Sequence, residues 1–166
     1  MDAFASLPPD SRLWVLALTR PAEGRKGEAL REGLERILGS WRHKGQAYQA
    51  VWELREDRLL LVAEPNMASA PSGCAIDGMM RKVAALAAEA GLGLLGPEHI
   101  LVRLGGRLQE LPRSEIGPAL EDGTLGPDTP VVDLSLHDLE QLRSGRLERP
   151  LARTWIGRSF KVAATA

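Results

Sequence analysis

Every residue from Leu13 to Leu18 is apolar. Successive side chains of a strand point to opposite faces, so an unbroken apolar run of this length is typical of a central strand covered on both faces. The region from Glu28 to Trp41 follows, and its apolar residues recur with helical spacing. The chain therefore begins with a strand and a helix, and the strand needs cover on both of its faces.

Later strand and helix patterns continue this order. Residues 48–55 alternate apolar and polar side chains, Glu56-Asp57 is a short turn, and a second apolar run follows, which predicts a hairpin. Helical spacing returns after Ser72 and ends at Gly91. His99–Leu104 has the composition of a fourth strand. The resulting order, β-α-β-β-α-β, predicts an α+β fold of the ferredoxin-like type, with both helices on one face of an antiparallel sheet.

A second hairpin signal, Gly105-Gly106, follows the fourth strand and predicts a fifth strand that ends at Leu111. Residues 1–111 would then form a ferredoxin-like core domain with an added strand. We expect residues 112–166 to be a C-terminal helical extension packed on that core.

The extension contains sequence patterns that predict two helices and two anchoring aromatic residues. A short helix is predicted between Ser114 and Asp122, and a second helix is predicted to be capped by Ser135. Trp155 and Phe160 are expected to anchor the tail to the rest of the protein.

Composition limits the partners and the location of the protein. The 166 residues carry a formal net charge of -1, so no general attraction to nucleic acid or to an anionic membrane is expected. One cysteine cannot form an internal disulfide. The N-terminus has no signal-peptide pattern, and no apolar run is long enough to span a membrane. We expect a cytoplasmic protein with no nucleic-acid or membrane partner, and a protein partner is left open.

Several motifs of known chemistry are absent from the sequence. It contains no phosphate-binding loop, no dinucleotide-binding glycine motif and no cysteine and histidine spacing suited to zinc. We therefore predict no cofactor and no metal, and we exclude an ATPase. Whether the protein is an enzyme at all is left open.

The stretch Pro71–Gly78 is the best candidate for a functional site, because it holds the single cysteine and begins the second helix. A helix N-terminus presents unpaired N–H groups and a partial positive charge, which favour a thiolate or a bound anion. Helical spacing puts Cys74, Asp77 and Arg81 on the side opposite the apolar residues. If Cys74 were instead the N-cap, Asp77 would reach back to its N–H group.

Three interpretations of Cys74 are left open. It is a small, inert and partly buried apolar side chain, or a reactive thiolate, or a bystander to an anion bound by the backbone of Ser72, Gly73 and Cys74. His43, His99 and His137 are the available bases. Because we expect the two helices to run parallel, we place His43 at the opposite edge of the sheet from Cys74.

The motif Ser72-Gly73-Cys74-Ala75-Ile76-Asp77 resembles the S-G-C-S-I-D motif of a family of small bacterial proteins of unknown function, which often carry the label "ABC transporter ATPase". The resemblance extends from about Leu7 to Phe160 and includes Trp14 and the ending that contains Trp155. It implies a shared fold and a shared site but supplies no activity. Ala75 replaces the second serine of the motif, so a mechanism that needs this hydroxyl is not expected here.

Three functions follow from these observations. The first is binding of a small anionic ligand by Ser72, Gly73, Asp77 and Arg81 at the helix N-terminus. The second is a thiol-dependent enzyme or redox protein with Cys74 as the catalytic residue. The third is a protein-interaction module that uses the basic tail with its aromatic residues.

Overall fold

The computed structural model describes residues 2–43, 46–47, 49–65 and 72–166, which form a mixed α+β structure. Within these residues there are five α-helices: α1 (Gly24–Gly39), α2 (Gly73–Glu89), α3 (Ile116–Glu121), α4 (Leu139–Arg143) and α5 (Trp155–Ser159). The strands in the same residues are β1 (Arg12–Ala17), β2 (Arg42–His43), β3 (Gln46–Ala47), β4 (Val51–Arg55), β5 (Leu59–Glu64), β6 (His99–Leu104), β7 (Arg107–Pro112), β8 (Pro130–Val132) and β9 (Glu148–Pro150).

The chain divides into two compact units. The first contains Met1–Leu95 and Ser135–Glu140, and the second contains Gly96–Leu134 and Gln141–Ala166. Compactness alone does not establish an independently folding domain. The domain boundary predicted after residue 111 therefore stays a prediction.

The sheet of the first unit is antiparallel and has the order β1-β5-β4 among the described residues. β5 is the central strand, and all six of its side chains are buried. In β1, buried and half-buried side chains alternate. The predicted hairpin is confirmed, since β4 and β5 pair across the turn at Glu56-Asp57. The strand covered on both faces is thus β5, and β1 has only one fully buried face.

The four-stranded ferredoxin-like sheet is not confirmed. β6 was expected to join the first sheet, but it lies in a second antiparallel sheet with the order β7-β6-β8-β9. Beside β1, one bridge joins Leu18 to Leu94 and another joins Arg12 to Asp138, and Leu95 N donates to Ala17 O at 2.8 Å. The residues just after α2 thus occupy the edge position expected for the fourth strand.

Helices α1 and α2 pack antiparallel on one face of the first sheet. Trp41, just beyond the end of α1, donates its Nε1–H to the Ala75 carbonyl in the first turn of α2 at 3.1 Å. At the other end, the Nζ of Lys26 in the first turn of α1 lies 3.5 Å from a Cβ built on Gly91, which follows α2. The expectation that the two helices run parallel is therefore wrong.

The second unit has its own core. Ile100 and Val102 of β6 pack in one cluster with Leu151 and Ile156. The predicted hairpin at Gly105-Gly106 is confirmed, because β6 and β7 pair directly across it. Since the C-terminal segment supplies β9 and two fully buried side chains, it is part of this core.

The extension differs from its predicted form in two respects. α4 begins at Leu139, so Ser135 does not cap it. Trp155 is half-buried, with the Arg113 guanidinium carbon 4.6 Å from the centre of its ring, whereas Phe160 is 41% exposed. Phe160 is therefore not the buried anchor that was expected. The short helix after Ser114 is confirmed as α3.

None of the helices in the described ranges combines the length and the apolar character required to cross a membrane.

Two helical glycines of the first unit should respond oppositely to replacement by alanine. A Cβ on Gly27 would overlap the backbone carbonyl of Ala22, whereas a Cβ on Gly78 would have nothing within 4 Å. We expect Gly78→Ala to stabilise the protein by about 0.5–1 kcal/mol, the helix-propensity difference. Gly27→Ala should destabilise it by about 1–3 kcal/mol, because the backbone must shift.

Urea denaturation followed by far-UV circular dichroism measures both changes. Equal free energies of unfolding for the two variants would contradict the packing of α1 against the Ala22 backbone.

Candidate functional site

The start of α2 is defined by Ser72. This residue is the N-cap, and its Oγ accepts a hydrogen bond from Ala75 N at 3.2 Å. The intrahelical ladder begins with the bond from Ile76 N to Ser72 O at 3.0 Å. The N–H groups of Gly73 and Cys74 precede this ladder, as the first N–H groups of any helix do. A Cβ on Gly73 would have nothing within 4 Å among the described residues, so a small side chain fits at this position.

The predicted site residues lie on the outer side of α2. Cys74, Asp77 and Arg81 are all exposed, which agrees with their predicted position away from the apolar side. Because Ser72 is the N-cap, the alternative in which Cys74 caps the helix is wrong. Asp77 lies beyond the first turn, which contains no acidic residue. The interpretation of Cys74 as a buried side chain is also wrong, since it is an exposed free thiol.

Trp41 ties the start of α2 to the end of α1. Its indole is 6% exposed and donates to the Ala75 carbonyl. Its ring meets the ring of Trp14 edge to face, with 5.8 Å between the centroids, a geometry that aromatic pairs favour. The Trp14–Trp41 pair therefore supports the first turn of α2 on the side that faces the sheet.

The sequence analysis missed Glu64, the last residue of β5. It is 2% exposed, and its Oε2 has no hydrogen-bond partner among the described residues. Its register partner on β1 is Arg12, and the next pair on the same face is Trp14 with Val62. Val62 packs in one cluster with α1 and α2, so the alternation of the strand places the Glu64 side chain on the helix-covered face. A charged residue that ends an apolar strand is the signal that could have identified it.

Burial raises the pKa of Glu64 above its usual value, and the positive charge of Arg12 partly opposes this rise. A buried carboxyl that lacks a hydrogen-bond donor is costly when ionised. Such groups occur at functional sites more often than elsewhere, because binding or catalysis compensates for their cost.

The histidines take positions that were only partly expected. His43 lies in β2, two residues after Trp41, and therefore near the end of α1 that adjoins the start of α2. The expectation that it lies at the opposite edge from Cys74 is wrong, because α1 and α2 run antiparallel. Its side chain falls outside the described part of the structure. His99 Nδ1 is 3.2 Å from Glu98 Oε1, and the His137 side chain is 75% exposed.

In the part of the chain that the structure describes, no cluster of three or more His, Cys, Asp or Glu residues could hold a metal ion. Comparisons with protein-family models, curated proteins and solved structures found no significant match. The resemblance to the bacterial S-G-C-S-I-D family thus stays a prediction based on the motif.

The raised pKa of Glu64 has a consequence for stability. Between the unfolded pKa, near 4.5, and the higher folded value, the folded state binds more protons than the unfolded state. The free energy of unfolding therefore falls as the pH rises through this window. We expect Glu64→Gln, which cannot ionise, to be more stable than the wild type at neutral pH, with the difference shrinking toward pH 4.5.

Glu32→Gln is the matched control, because Glu32 is an exposed glutamate on α1 in the same unit. Urea denaturation at several pH values, followed by tryptophan fluorescence, gives the comparison. A stability difference for Glu64→Gln that does not change with pH would show that the carboxyl titrates alike in the folded and unfolded states.

Proposed function

We propose that the protein binds a small anionic ligand at the N-terminus of α2. The observation that supports this proposal is the capped start of the helix, where the N–H groups of Gly73 and Cys74 precede the hydrogen-bond ladder and the side chain of Cys74 is exposed. Oriented N–H groups and the helix dipole together favour a bound carboxylate, phosphate or sulfate. Arg81 lies two turns further along the exposed side and adds positive charge, while Asp77 opposes it.

We make two further proposals, one on the fold of the first unit and one on the source and location of the protein. We propose that the first unit is a ferredoxin-like β-α-β-β-α-β arrangement in which residues 93–95 replace the fourth strand, because they bond to β1 at the edge where that strand would lie. We also propose a bacterial, cytoplasmic protein, on the basis of the motif resemblance and the single cysteine. Function is not implied by this fold alone.

The N–H group of Gly73 offers a direct test of anion binding. Gly73 is the first helical residue, a position that tolerates proline, and Ser72 already has the extended conformation (φ -68°, ψ 160°) that a following proline requires. Gly73→Pro therefore removes one N–H donor and preserves the helix start. Gly73→Ala keeps that donor and is the matched control.

We expect phosphate, sulfate or a small carboxylate to raise the melting temperature of the wild type, of Gly73→Ala and of Cys74→Ser. At a ligand concentration about 100 times Kd, the gain is about 2.7 kcal/mol, which corresponds to several degrees for a protein of this size. Gly73→Pro should lose most of this shift. Ionic strength is held constant with sodium chloride, and an equal shift in the proline and alanine variants would contradict the proposal.

A second candidate function is thiol chemistry at Cys74. The thiol is exposed at the second position of α2, and reactive cysteines in other proteins often lie at helix N-termini. In this case Cys74 would be the nucleophile, and the same N–H groups would stabilise negative charge that develops on a substrate.

Alkylation by iodoacetamide at neutral pH distinguishes this candidate from simple anion binding. Because a stabilised thiolate raises the fraction of reactive thiol, Cys74 in the folded protein should react several-fold faster than in the urea-unfolded protein. A rate in the folded protein equal to or below that of the unfolded chain would exclude a thiol mechanism. It would leave the anion-binding proposal intact.

A further inference from the structure

The outer edge of β4 has no partner strand among the described residues. The order of the first sheet is β1-β5-β4, so β4 pairs with β5 on one side only. At the opposite edge of the sheet, along β1, Leu13 N donates to His137 O at 2.9 Å. Further along that edge, Leu95 N donates to Ala17 O at 2.8 Å. Beyond β5 and the hairpin turn, no described residue makes such a bond to β4, and an edge of this kind is a template for pairing with another strand.

The hydrogen bonds of the hairpin define which residues of β4 direct their peptide groups outward. Arg58 N donates to Arg55 O at 3.0 Å, so the peptide groups of Arg55 point toward the returning arm of the hairpin. Successive residues of an antiparallel strand alternate in this direction. The N–H and C=O groups of Trp52 and Leu54 therefore point away from β5. Each of these two residues offers one donor and one acceptor to a second strand.

Two charged side chains lie on the face of β4 that is turned away from the helices. Trp52 and Leu54 pack with α1 and α2, so the alternation of the strand places Glu53 and Arg55 on the other face. Glu53 Oε2 is 3.1 Å from Arg55 Nε, but this oxygen is buried and has no hydrogen-bond partner in the described residues. A buried carboxylate oxygen without a donor is costly. A second guanidinium group would satisfy it.

We propose that β4 pairs antiparallel with β4 of a second copy of this chain, about a two-fold axis at Leu54, which joins the two three-stranded sheets into one. Leu54 and the partner's Leu54 then exchange both of their outward hydrogen bonds. Glu53 lies opposite the partner's Arg55, and by symmetry Arg55 lies opposite the partner's Glu53. Both ion pairs fall at non-hydrogen-bonded positions, where side chains are closest.

Charge complementarity selects this register. An axis at Glu53 would place two like charges opposite each other, which is destabilising. An axis at Trp52 would place Glu53 opposite the partner's Val51 and leave its carboxylate oxygen without a donor. The inference does not depend on the proposed anion binding.

Charge reversal tests the proposed pairing. Glu53→Arg and Arg55→Glu each place like charges opposite each other at both positions. In sedimentation velocity over a range of concentrations, we expect the wild type to dimerise reversibly and each variant to dimerise about tenfold or more weakly. An equal mixture of the two variants should dimerise again, because each chain then meets the opposite charge. Glu89→Arg is the matched control, since Glu89 is exposed at the end of α2, and it should dimerise as the wild type does.

The mixture separates pairing between chains from the Glu53–Arg55 contact within one chain, which each variant also loses. Thermal unfolding followed by circular dichroism confirms that the variants fold. Hydrogen exchange needs no variant, since the Leu54 N–H of the wild type should exchange more slowly as the protein concentration rises.

Three results would overturn the inference. The first is a wild type that is monomeric at every concentration, as it would be if the edge bound a different protein. The second is a dimer that charge reversal leaves unchanged, and the third is a mixture that stays monomeric. The proposed anion binding survives each of these results.

Discussion

The first unit depends on the burial of β5. This strand is paired on both sides and all six of its side chains are buried, so it contributes apolar area to both layers around the sheet. Its last residue is Glu64, a carboxyl in a position where an apolar side chain would stabilise the fold more. Natural proteins tolerate such local costs mainly at functional sites. The strand that organises the unit therefore also carries a buried carboxyl.

Local patterns were sufficient to predict the longer helices and strands, although they missed β9 and the start of α4. Both hairpins, the extent of α2 and the exposed side of that helix follow from periodicity and turn residues, which act over a few positions. The pairing of β6 could not be predicted this way, because an apolar strand of this kind fits either sheet and its partners β7 and β8 are chosen by long-range contacts. The antiparallel course of α1 and α2 follows from the strand directions, and the sequence interpretation misjudged it.

The candidate site likewise has features that local sequence patterns predict and features that depend on long-range contacts. The capped start of α2 and the outward position of Cys74 were predictable, since both depend on residues next to each other in sequence. Glu64 and Trp41 were not, because their significance comes from burial and from contacts between separate elements. Trp41 also binds the first turn of α2 on its inner side, while Cys74 on the outer side is exposed. This combination suits a site that must be rigid and accessible at once.

The exposed thiol of Cys74 has a practical consequence. The chain contains one cysteine, and it lies on the outer surface of α2 close to the helix start. A fluorophore or spin label with thiol chemistry therefore attaches at one defined position in the unmodified sequence. Trp14 and Trp41 beneath the same helix turn are natural energy donors for such a label. With Trp52 and Trp155 replaced by phenylalanine, the protein would offer a donor and an acceptor position for measuring movements of α2 relative to its own sheet.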